Sequence, residues 1–116
     1  MRRSDRFEQV RREIVNLRYF YIREEFTEPT RNSAKRKCGL CQQWVNDNPR
    51  SFSRHFAREH PHAWRLATMY VLAALMKKYG YLPREAVKRA MTWGEEPPFE
   101  PVTGGRRGYY VRSAPL

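Results

Sequence analysis

Apolar side chains recur along the first segment at Phe7, Val10, Ile14, Leu17 and Tyr21. Steps of three and four trace one face of a helix, and Ser4 and Asp5 stand where a helix cap belongs. The spacing predicts a helix over 5–26, although the aromatic and β-branched run 19–22 also suits a strand. Pro29 and the polar run 30–33 break the pattern and predict a linker. A second apolar region covers 62–79, with Trp64, Leu66, Ala67, Tyr70, Val71, Ala74, Leu75 and Tyr79. It is apolar over so much of its circumference that something must cover it. Gly80 predicts its end, and Pro83 the first turn of a further helix over 83–92 with Ala86, Val87, Ala90 and Met91 inward. Gly94 stops that helix. The Pro/Gly-rich tail 94–116 predicts a loop, with a short strand at 109–111 as the alternative.

Between the two helical regions the pattern changes. Residues 35–38 and 42–45 read as two short strands around a turn at Gly39, placed where a left-handed conformation is often needed. Asn48 and Pro49 then suit the N-cap and first residue of a helix over 49–60, with Phe52 and Phe56 one turn apart on its inner side. The fold class expected is α+β, mostly α. It divides into an N-terminal helix and linker (1–34), a ββα unit (35–61), a helical pair (62–93) and a tail (94–116).

Four residues of this middle segment carry the chemistry: Cys38, Cys41, His55 and His60, spaced C-x2-C-x13-H-x4-H. The chain has 2 Cys and 3 His, so the set takes four of those five. Two thiolates and two imidazoles make a closed tetrahedral set for Zn²⁺. Positions five apart on an ideal helix differ by about 140°, so His55 and His60 cannot both face one point on a regular helix. Pro61 supplies the way out, because it disfavours helical geometry at His60. His62 is the substitute ligand, with a longer reach. A redox role for the C-x2-C pair would need a βαβ setting, which this sequence lacks. Four ligands also leave no open position for catalysis, so the metal is expected to be structural.

Charge adds a second clue. The chain carries 23 Lys+Arg against 12 Asp+Glu, a net +11 in 116 residues, and a pI near 10.3. Such a balance is the footprint of a nucleic-acid binder; a solubilising surface without a partner is the alternative. From the first cysteine to Pro61 the chain is nearly neutral, and the excess flanks that stretch: +5 in residues 1–37, +1 in 38–61, +5 in 62–93 and 0 in 94–116. Lys35-Arg36-Lys37 precedes the first cysteine as a natural phosphate contact. No secretory pattern follows Met1, and the apolar stretch 66–76 is short of the ~20 residues that span a bilayer. An intracellular setting is expected: a host cytoplasm for an archaeal or viral chain, a nucleus for a eukaryotic one. Neither paired carboxylates nor a nucleophile–base set nor a phosphate-cradling loop is visible, so neither an enzyme nor a small-molecule substrate is expected.

The 35–61 segment resembles the C2H2 zinc finger in its cysteine spacing, its inward hydrophobics (Trp44 or Val45, and Phe52), and His55 three beyond Phe52. It departs in the gap of 13 between Cys41 and His55, where 12 is usual, an extra residue expected in the loop 46–48. The resemblance covers about 27 residues. The chain is also loosely similar to small basic zinc-finger proteins encoded by viruses of hot-environment archaea, which would make it a viral protein. The finger family implies bound Zn²⁺ and double-stranded DNA as partner, with the helix in the major groove of a transcription regulator's target. Carried onto this sequence, the base-contacting positions are Asn48, Ser51 and Arg54, flanked by Arg50 and Arg58. Arg54 would pair with guanine, Asn48 with adenine, and Arg58 would grip phosphate. One finger reads about three base pairs, so affinity must come from the basic flanks, a partner or a homodimer, for which the 62–79 helix is the candidate surface. A helix-turn-helix over 62–92, a protein-interaction finger, and an RNA or single-strand binder with stacking by Trp44, Tyr109 and Tyr110 are the alternatives.

Overall fold

The computed structural model describes residues 3–94, 99–101 and 108–110. The elements run α1 (Arg3–Phe26), β1 (Thr27–Pro29), β2 (Lys35–Cys38), β3 (Trp44–Asn46), α2 (Pro49–Glu59), α3 (Pro61–Tyr79), β4 (Tyr81–Pro83), α4 (Arg84–Ala90), β5 (Glu100–Pro101) and β6 (Gly108–Tyr110). The architecture is α+β and mostly α, with two antiparallel three-stranded sheets ordered β1-β2-β3 and β4-β6-β5. The chain divides into two compact units, Val15–Met69 and Met1–Ile14 with Tyr70–Leu116. Among the described residues no helix is long and apolar enough to cross a membrane.

In the Val15–Met69 unit, the second half of α1 is helical through residues 19–22, so the strand alternative for that run is excluded. Its buried face differs from the expected one. Ile22 is buried, but Leu17 is 40% exposed and Arg18 takes the inward position. The Arg18 guanidinium lies 3.8 Å from the Trp64 ring centroid and donates to Thr68 Oγ1 at 3.2 Å. Burial pushes its pKa down to about 10. A cation at this depth persists because an aromatic face and a hydroxyl replace part of its hydration.

The segment expected to be a linker is a hairpin. Pro29 pairs with Arg36 and Thr27 with Cys38. The loop at 30–34 is closed by its own side chains, with Ala34 N donating to Asn32 Oδ1 at 3.0 Å and Asn32 N to Thr30 Oγ1 at 3.1 Å. These polar residues substitute for backbone partners, as Asx and Ser/Thr turns do. β1 therefore adds a third strand to the two expected. The inner face of this sheet carries Cys38 and Val45, both buried with Phe52 and Phe56 of α2.

The other unit buries Val10, Val71, Leu72, Leu75, Met76 and Val87 among its apolar residues. The expected stop at Gly80 is observed: its φ is +72°, and its N–H returns to Met76 O at 2.7 Å. Gly94 adopts φ +81°, but α4 has already ended at Ala90 with Met91 as its C-cap, short of the expected residue 92. Pro83 lies one residue earlier than expected, at the N-cap of α4 and the end of β4. The connection from α3 to α4 is thus a strand paired with β6, not the open turn of a helix-turn-helix. Tyr109 and Tyr110 form the short terminal strand considered for the tail, while Val111 lies outside the described residues. On α3 the buried set includes Trp64, Ala67, Val71 and Leu75 as expected, but Leu66, Tyr70 and Ala74 are exposed. A side-chain cluster ties α1 to α3 within this unit. Lys78 Nζ lies 2.6 Å from Glu13 Oε1, the Tyr79 hydroxyl donates to the same carboxylate, and Gln9 donates to the Tyr79 oxygen at 3.1 Å.

Candidate metal centre

β2 ends at Cys38, and the chain doubles back at once. Cys38 N donates to Gln43 O and Gln42 N to Cys38 O, both at 2.8 Å. The left-handed residue of this turn is Gln42, with φ 69°, and not Gly39 as its position suggested. Gly39 is needed for another reason. Its N–H donates to Phe26 O at 2.8 Å, and an added Cβ would lie 3.2 Å from that oxygen. The turn is thus anchored to the end of α1, leaving Cys38 buried and Cys41 exposed.

The histidines come from α2. Asn48 caps it, its Oδ1 accepting from Ser51 N at 2.8 Å, and Pro49 opens it. Phe52 and Phe56 are fully buried and fix the rotation of the helix, which places His55 beside the turn. α2 stops at Glu59. His60 leaves helical geometry at φ −134°, ψ 62°, as the following proline implies. Its N–H still reaches Phe56 O at 2.9 Å, and its carbonyl accepts from Trp64 N at 3.0 Å in the first turn of α3. His60 is therefore a single-residue joint between two helices, held by backbone bonds on both sides.

These pieces bring all four sequence-predicted ligands together. One ligand atom from each of Cys38, Cys41, His55 and His60 lies within 4.8 Å of the others. Cys38 Sγ is 3.5 Å from His60 Nε2, and Cys41 Sγ is 3.4 Å from His55 Nε2. His62 stands exposed on α3, outside this set. Burial pushes the Cys38 thiol up, and burial followed by the neighbouring His60 pushes His55 down. Two sulfurs and two imidazole nitrogens clustered in this way are arranged for a cation to complete. The arrangement can hold a metal ion, with no further protein ligand required.

The residues expected at a nucleic acid are distributed less simply. Arg50, Arg54 and Arg58 are all exposed on α2, four residues apart, with Arg58 Nε 3.9 Å from Glu59 Oε1. Ser51 is half-buried, and its backbone N–H is taken by the cap. The exposed Asn48 accepts that bond with its carboxamide oxygen, which keeps a second lone pair, and its amide nitrogen carries two donors. Arg36 turns inward. It donates to Thr27 Oγ1 at 2.9 Å and to the carbonyls of Arg23 and Thr27 at 3.2 Å, closing the C-terminus of α1. Lys35 and Lys37, two apart on β2, are half-buried and lie on the other face of the sheet from Cys38.

One part of the site was not anticipated from the residues. Asp47, between β3 and the α2 cap, accepts from Tyr19 Oη at 2.5 Å and from Arg23 Nε at 3.2 Å. Its backbone N–H donates to Ala34 O at 3.0 Å. The loop that launches α2 is thereby tied to α1. The partners stand 24 and 28 residues away in sequence, and no local pattern links them.

No protein-family model, curated protein or solved structure matches this chain. The class is defined by the site itself: a Cys2His2 cluster suited to a metal ion, built between a strand turn and a helix in an α+β chain.

Proposed function

We propose that this chain is a zinc-dependent duplex-DNA-binding protein that acts in transcription regulation, with the Cys38–His60 segment as a C2H2 finger. Zinc is favoured by the donor set. A tetrahedron with Zn–S near 2.3 Å and Zn–N near 2.0 Å has an S···N edge of about 3.5 Å. The Cys38–His60 and Cys41–His55 separations fall there. Two thiolates also disfavour Mg²⁺ and Ca²⁺, which take oxygen ligands. When bound, zinc would supply folding energy to a segment too small to hold its own core, and no catalytic step is assigned to it.

The observation that carries the DNA reading is the exposed row Arg50, Arg54 and Arg58 on the one helix that the metal site orients. Arg54 is the base reader, by its position on that helix and its open guanidinium; Arg50 and Arg58 serve phosphates. Asn48 sets the helix start and stays exposed there for a base edge, whereas Arg36 closes α1 and is assigned no contact. A homodimer through α3 would provide the second half-site, and the exposed Leu66 and Tyr70, one turn apart, are its candidate surface. Sedimentation as a monomer at working concentration removes the dimer.

The test is selection of zinc-loaded protein on a random duplex library. An enriched motif that is lost with Arg54→Ala supports the reading. Retention without enrichment replaces it with a non-specific coating role. Absence of retention at moderate salt removes duplex DNA as the partner.

A further inference from the structure

The outer face of the β1-β2-β3 sheet carries an independent arrangement. Strand alternation sends Cys38 and Val45 inward and their neighbours outward. Trp44 stands on this outer face at 45% exposure, directly opposite Lys37 in the register, and Asn46 stands opposite Lys35. Arg31, in the exposed hairpin loop, places its guanidinium 5.6 Å from the Trp44 ring centroid. Glu28, opposite Lys37 on the other side, is the acidic residue that the register places on this face. The inner face of the same sheet is spent on the metal site and the buried phenylalanines, so the outer face points away from the arginine row of α2.

From this juxtaposition the geometry points to a binding platform for an unpaired nucleic-acid strand: one base stacks on Trp44 while Lys35, Lys37 and Arg31 hold the adjoining phosphates. The chemistry selects the occupant. An exposed indole has a flat π-face that a base can cover once Arg31 swings from over the ring to the adjoining phosphate, and stacking tolerates all four bases. A duplex buries its base faces and cannot use the ring. Lys35 and Lys37, two residues apart on one strand, stand about 7 Å apart at the backbone, an interval suited to successive phosphates of an extended strand. Three cations against one carboxylate give the face the sign a phosphate backbone requires. Asn46, exposed beside them, offers a donor and an acceptor to a base edge. The platform goes beyond duplex recognition by α2 and does not depend on it, because the two surfaces share no residue.

The experiment uses the full, zinc-loaded chain with two fluorescently labelled single strands, dT12 and rU12, and a 12-base-pair duplex. Anisotropy reads binding, and tryptophan emission reads stacking. The expected result is binding of at least one single strand with quenched emission. Trp44→Phe should retain most of the affinity while losing the quench. Trp44→Ala should weaken binding by about 5- to 150-fold, the range for one stacked base. Lys35→Gln with Lys37→Gln should lower the salt slope by roughly 1.4, two phosphates' worth for a single strand. Glu28→Gln should tighten binding. Arg54→Ala should leave single-strand affinity unchanged, which separates this platform from the α2 surface. The proposal is overturned if neither strand binds at about 50 mM salt, if Trp44→Ala binds as the parent does, or if Arg54→Ala abolishes single-strand binding.

Discussion

The two compact units solve the same problem of stability by different means. The Val15–Met69 unit encloses a few large rings, Phe52 and Phe56 foremost, and adds the metal cluster, a buried Arg18 on Trp64, and the Asp47–Tyr19–Arg23 network. The other unit relies on aliphatic packing from α3, β4 and α4, with polar bonds confined largely to its surface. The difference follows from sequence. The three short strands and the eleven-residue α2 supply little apolar area of their own, and a metal plus satisfied polar groups add to what they bury. The other unit draws instead on Val71, Leu72, Leu75 and Met76 in the C-terminal half of α3.

Removing the metal tests this contrast most severely. Chelation, or Cys38→Ser, is expected to abolish hydrogen-exchange protection across α2 and the β1-β2-β3 sheet. Apparent metal-coupled folding energies run about 10–16 kcal/mol for such modules. Protection at Val71–Met76 should survive. Simultaneous loss in both regions would mean that α1 and α3, which run through both units, make the chain one cooperative body.

Core truncations give the next effect. Phe56→Ala should cost about 3–5 kcal/mol and weaken metal binding, because Phe56 packs against both His55 and His60. Leu82→Ala, fully buried in the other unit, should cost about 2–5 kcal/mol in thermal unfolding yet leave metal stoichiometry and affinity unchanged. Equal loss of metal affinity in both variants would break the comparison.

The Asp47 network ranks third. Asp47→Ala leaves the Tyr19 hydroxyl and Arg23 Nε without this acceptor and should cost about 1–3 kcal/mol, with the α2 start loosened. A double-mutant cycle with Tyr19→Phe reads the coupling.

Acid separates the units, and the Glu13 contribution it reads in the second unit is the smallest expected change. The Glu13 carboxyl resists ionisation through burial, but the bonds from Lys78 and Tyr79 outweigh this and hold its pKa below the usual value. A depressed carboxylate stabilises the fold fully above its unfolded pKa, and that contribution is lost as pH falls through the folded value. Its loss is therefore confined to below about pH 4.5. Metal ligation requires deprotonated donors, so the metal unit should weaken first, below the ordinary histidine range near 6.5. Glu13→Gln should shift stability by less than about 1 kcal/mol near neutrality and flatten the acid limb of the second unit alone. Melting by circular dichroism and metal release, followed against pH, check the order.

Much of this architecture could be read from residue pattern. The ββα order, the β2 bounds, the Asn48 cap, the exit of His60 before Pro61 and the stop at Gly80 all follow from rules spanning fewer than eight residues. Such features are set by backbone sterics and local hydrogen bonds, which the sequence alone specifies. The four ligands were legible for the same reason: their spacing is a property of the chain. What required the tertiary structure is wherever a partner lies far along the sequence. Arg18 displaces Leu17 from the buried face because Trp64 and Thr68, about fifty residues on, receive it. Arg36 leaves the basic run to close α1, and Asp47 finds Tyr19 and Arg23. Pro29 and Thr27 become a strand because β2 offers them a ladder. Charge and polarity along a chain state which groups need a partner; only the fold brings distant partners within bonding reach and decides which of those groups remain free for a ligand.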